Sequence, residues 1–89
     1  MNVIQDVATL YSVLQNVTGA SGQLNFKGRV INYKAEGRID KLQWEYEGTA
    51  WDIESGTSVK ARHYKSTQGA IEHAVKELID KLKAQGILS

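Results

Sequence analysis

Eighty-nine residues make one domain with room for a single small core, which the 42% hydrophobic content must supply unaided, since the chain has no cysteine to cross-link it. That absence also excludes disulfides, thiolate zinc sites, iron–sulfur clusters and thiol catalysis. Eleven basic residues against ten acidic ones leave a net charge of +1, far from the basicity of a typical nucleic-acid module, and no stretch is apolar enough to span a membrane.

Residues 3–17 are predicted to form an amphipathic helix. Ile4, Val7, Tyr11 and Leu14 fall at helical spacing, and Val3, Leu10 and Val17 widen the stripe. Asn2 caps the start, and the glycine-containing run 18–22 ends it. Residues 23–34 read as a strand. Gly28 is placed at a bulge that moves the apolar face from Leu24, Phe26 and Val30 to Ile31 and Tyr33. Residues 35–38 read as the following turn.

Leu42–Glu54 reads as a β-hairpin turning at Gly48-Thr49. This register sets Tyr46 opposite Trp51 and Trp44 opposite Ile53, with the large apolar side chains on one face. The alternative is a single long strand bent by a bulge at Gly48. A turn at 55–57 leads into a strand over 58–65. Residues 67–85 are predicted to form a second helix, capped by Ser66 or Thr67 and stopped by Gly86, with Ile71, Ala74, Val75, Leu78, Ile79 and Leu82 as its buried stripe. The expected fold is α+β over residues 1–89. It comprises an N-terminal helix, an antiparallel meander of three or four strands and a C-terminal helix, both helices packed on one face of the sheet.

Candidate chemistry is sparse. His63 and His73 match no metal-ligand spacing, no glycine-rich phosphate loop occurs, and no Ser–His–Asp arrangement can be inferred. No catalytic, cofactor or metal site is expected, and the chain reads as a non-enzyme. Trp44, Tyr46, Trp51 and Phe26 are expected in the core. The outer face of the sheet is the candidate surface for a protein partner, through Glu45, Glu47, Asp52, Lys60, Arg62 and Tyr64. Mixed charges there suit steering of a partner. The alternative is nucleic-acid binding through Lys27, Arg29, Lys60, Arg62, Tyr64 and Lys65, with Lys34, Arg38 and Lys41 nearby. A blander reading of the same cations is cross-strand pairing, Lys60 with Asp52 and Arg62 with Glu47.

The segment His63–Ile79 occupies the place of the signature of the double-stranded-RNA-binding domain, which the order helix–strands–helix resembles. Where that family opens its last helix on a basic Lys-Lys-x-Ala-Lys run, this chain has Lys65, Ser66, Gln68, Gly69 and Glu72. The layout is also similar to that of short phage-encoded inhibitors of bacterial defence systems. The leading expectation is therefore a small protein-binding inhibitor, adaptor or regulatory domain, with no cofactor and no membrane partner, and with homodimerisation open through an edge strand. The lack of cysteine, and an N-terminus with Asp6 and no base before Lys27, point to the cytoplasm.

Overall fold

The computed structural model describes Leu14 and residues 19–88. Four strands form one antiparallel sheet in sequence order: β1 (Ser21–Phe26), β2 (Arg29–Asp40), β3 (Gln43–Asp52) and β4 (Ser58–Tyr64). One helix, α1 (Thr67–Ala84), covers one face of it. The expected pair of helices is thus corrected to a single helix among the described residues. The helix expected over 3–17 lies outside those residues except for Leu14, which is buried in the core.

The α1 segment lies where the apolar periodicity places it. Ser66 accepts a hydrogen bond from the Gly69 amide at 3.0 Å. Gly86, at φ 77°, ends the helix and lets the amides of Ile87 and Leu88 return to the Leu82 carbonyl. Between these caps Ala70, Ile71, Ala74, Val75, Leu78, Ile79 and Leu82 are buried. They meet Leu24, Phe26, Ile31, Tyr33, Ala35, Ala50 and Ala61 from the sheet. Each fully buried Leu, Ile, Val or Phe contributes about 1.5–3 kcal/mol.

The strand connections differ from the sequence expectation in a consistent way. Lys27-Gly28 is not a bulge but a tight turn, with both residues at positive φ, so residues 23–34 form parts of two strands. Residues 35–38 continue β2 rather than turn, and the chain reverses at Lys41-Leu42, where φ is 52° and 67°. β3 then runs unbroken through Gly48-Thr49, as the alternative reading of one long strand proposed, but without the bulge at Gly48 that this reading included. An added Cβ at Gly48 would collide with the Ala70 carbonyl, so glycine there lets α1 approach the sheet backbone.

Continuity through Gly48 reverses part of the expected facing. Tyr46, Gly48, Ala50 and Asp52 share the helix side, whereas Trp51 turns to the open side and Trp44 lies beyond the helix. Phe26 is buried as expected; Trp44 is not, and Tyr46 and Trp51 are half-buried. A second irregularity lies in β4. Tyr46 pairs with Tyr64 and Gly48 with Ala61, so Arg62 and His63 together oppose the single residue Glu47. His63 takes the left-handed backbone of this bulge at φ 70°.

Candidate functional site

The open face of the sheet carries a charged patch built on β2, β3 and β4. At its centre Glu47, only 11% exposed, receives Arg62 at 2.8 Å, Arg38 at 3.1 Å and Lys60 at 3.7 Å. One carboxylate faces three cations, and Glu45 and Asp40 lie in the adjoining groove. Lys34 and Glu36 pair at 3.1 Å farther along β2. Such exposed pairs contribute little to stability. Their importance here is that they hold the guanidinium groups in place on an open surface.

Beside this patch the β2–β3 hairpin runs out past the helix. No residue of β2 after Ala35 is buried, and none of β3 before Gly48. The end of the hairpin nevertheless carries large apolar side chains: Ile39 is 70% exposed, Leu42 98% and Trp44 55%. Ile39 and Trp44 are cross-strand partners, and the Trp44 ring lies over Gly37. An added Cβ at Gly37 would meet that ring, so this glycine seats the indole instead of making the expected turn. Period-2 alternation puts Arg38 and Glu45 on the opposite surface of the same ribbon. The hairpin end is therefore amphipathic.

The sequence-derived candidates divide between this surface and other roles. Glu47, Lys60 and Arg62 are brought together, and the Arg62–Glu47 pair forms as the cross-strand reading expected. Glu45 joins them from the open face, bound to His63 at 2.7 Å. Asp52 does not. It is fully buried, because continuity through Gly48 turns it to the helix side, and its partner is Arg29 at 2.6 Å rather than Lys60. The Arg29 hydrogen bonds and the Ser55 amide hold its carboxyl down at about 2 against the opposing effect of burial. Tyr64 is also displaced from the open face, since the bulge at Arg62–His63 turns it toward α1, where it stacks on His73 at 4.3 Å.

The nucleic-acid set does not assemble. Arg29 is committed to Asp52 and to Glu54 at 2.9 Å. Lys27 occupies the β1–β2 turn, and its ammonium lies 5.7 Å from the Phe26 ring centre. Along β2 these positions are about 30 Å from Arg38. Lys65 donates to the Gln43 side chain at 3.1 Å. Ile39 and Leu42 were not singled out by sequence reasoning. The readable signal is two large apolar residues at the reversal, Ile39 just before it and Leu42 within it, where polar residues are usual.

Comparison with known proteins bears on this surface. The family described as Anti-lipopolysaccharide factor/Scygonadin matches residues 2–89. The chain belongs to that family. The anti-lipopolysaccharide factor of Tachypleus tridentatus is 30% identical over 88 residues, spanning 98% of this chain and 78% of the relative. The anti-lipopolysaccharide factor of Limulus polyphemus is 28% identical with the same coverage. No solved structure matches the chain closely enough to count as a relative.

Membership of the anti-lipopolysaccharide factor family agrees with a non-enzymatic binding domain, since the family takes its name from a ligand and not from a reaction. It does not agree with an inhibitor directed at a protein, and it lends no support to a nucleic-acid module. The expected cytoplasmic location is overturned as well: lipopolysaccharide is a bacterial surface glycolipid, so factors named for it act outside the cytoplasm. Among the described residues no helix is long and apolar enough to cross a membrane.

Proposed function

We propose that this protein binds lipopolysaccharide with the outer half of the β2–β3 hairpin and the adjoining open face. The observation that carries the reading is the exposed apolar end formed by Ile39, Leu42 and Trp44, backed by the cations around Glu47. Lipopolysaccharide joins phosphate groups to acyl chains, so its binding calls for cations and apolar surface on one amphipathic element, here the two faces of the ribbon. Arg38, Lys60 and Arg62 outnumber the carboxylate they surround and take the phosphates. Arginine suits this role because its planar fork meets phosphate through two parallel hydrogen bonds. The apolar side of the ribbon lies against the acyl layer, in the manner of an amphipathic element at a lipid interface. The names of the two relatives, 30% and 28% identical to this chain, support the same ligand.

The test is a titration of fluorescently labelled lipopolysaccharide against the wild type, Leu42→Asp and Arg62→Gln. Burying Leu42 on binding contributes about 1.5–3 kcal/mol, so Leu42→Asp should weaken affinity about ten- to a hundredfold. Aspartate tolerates the left-handed backbone there. Arg62→Gln should weaken binding and flatten its dependence on salt. Wild-type affinity in Leu42→Asp would remove the hairpin end from the binding surface.

A further inference from the structure

A second cluster lies near the outer end of the hairpin, on its open face, next to the cations around Glu47. Asp40 ends β2, Glu45 lies on β3 and His63 occupies the bulge of β4. One donor atom from each comes within 4.8 Å of the other two. His63 Nδ1 is 2.7 Å from Glu45 Oε2 and 3.8 Å from Asp40 Oδ2. We propose that Asp40, Glu45 and His63 form a divalent-cation site suited to Zn²⁺. The site does not depend on the lipopolysaccharide reading.

The geometry, the donor chemistry and the charge each favour a cation. Tetrahedral zinc with bonds near 2.0–2.1 Å separates neighbouring donors by about 3.3 Å. The two distances at His63 bracket that value. Two carboxylate oxygens and one imidazole nitrogen form a mixed donor set that zinc accepts, with a fourth position left to solvent in the groove beside Tyr46 and Arg62. Among the described residues, Asp40 and Glu45 make ion pairs with His63 alone, while Arg38 and Arg62, which line the same groove, converge with Lys60 on Glu47. With a neutral imidazole the three ligands carry two negative charges, which a divalent ion balances. His63 reaches them only because the extra residue in β4 re-aims it. In unbroken alternation after Ala61 it would face the open side's reverse, toward α1.

Isothermal titration of the full chain with zinc chloride in a non-chelating buffer tests the site. The expected result is one saturable equivalent. His63→Asn should weaken it about tenfold or more, and Asp40→Asn and Glu45→Gln should do likewise. His73→Gln should leave it unchanged. Asparagine tolerates the left-handed backbone of the bulge, and circular dichroism verifies that His63→Asn is folded. Should that variant not fold, the partly exposed Asp40→Asn carries the test alone. Absence of saturable binding, or His63→Asn and Asp40→Asn titrating like the wild type, would overturn the proposal.

Discussion

Asp52 shows how one residue can be read correctly as important and incorrectly as available. Its carboxylate accepts Arg29 Nε at 3.2 Å, Arg29 Nη2 at 2.6 Å and the Ser55 amide at 2.9 Å, so it closes the β3–β4 connection from inside. Breaking a charged, buried hydrogen-bond set costs about 2 kcal/mol. Asp52→Asn should therefore lower stability at neutral pH by about that amount. Because the folded pKa lies at about 2, below the ordinary aspartate value, the stabilisation is complete above about pH 4 and fades as pH falls toward 2. Urea unfolding at neutral pH and near the folded pKa checks this. An equal deficit at both pH values would show that the ion pair is not its source. Leu42 presents the opposite case. It holds a left-handed φ of 67° in a tight turn where glycine or asparagine is the easier choice, and its side chain touches solvent. Leu42→Gly should raise stability by about 1 kcal/mol while weakening lipopolysaccharide binding. Thermal melts paired with ligand titrations would reveal that trade, and a variant that binds normally would argue that Leu42 has no role in recognition.

At the scale of elements, the glycines explain both what the sequence disclosed and what it concealed. The α1 helix is legible because its apolar stripe, its serine cap and its glycine stop are all local signals. The strands are legible as apolar and β-branched runs. Their boundaries are not, because glycine marks either a turn or a close approach, and only tertiary structure decides which. Gly37 and Gly48 are close approaches, one to the Trp44 ring and the other to the backbone of α1. The actual reversal at Lys41-Leu42 contains none of the residues that advertise a tight turn. Misplacing that reversal moved Asp52 to the wrong face, and the β4 bulge did the same for Tyr64. Glu47, Lys60 and Arg62 were recoverable because they lie on the open face in either register. The two glycines should respond differently to alanine. Gly48→Ala forces the Ala70 carbonyl to move and should cost about 2 kcal/mol or more. Gly37→Ala meets only an exposed indole that can swing aside, so its cost should stay near 0.5 kcal/mol or below, about that of an ordinary surface change. Chemical denaturation of both variants measures the difference, and equal losses would contradict the proposed closeness of α1 to β3.

At the scale of the molecule, the core and the binding surface occupy different parts of the sheet. The helix covers the half of β2 and β3 ending at Ala35 and Gly48, and the remaining half of the hairpin projects with its apolar residues uncovered. Substitutions at the end of the hairpin should therefore change recognition with little effect on folding. The most direct measurement uses Trp44 as the reporter. The sequence contains two tryptophans, so Trp51→Phe leaves Trp44 as the sole indole, placed at the proposed contact. Emission from this variant should shift to the blue and saturate as lipopolysaccharide is added, because an indole 55% exposed in the free protein moves into an apolar layer. Unchanged Trp44 emission, in samples where anisotropy shows the labelled lipopolysaccharide to be bound, would contradict recognition by the hairpin.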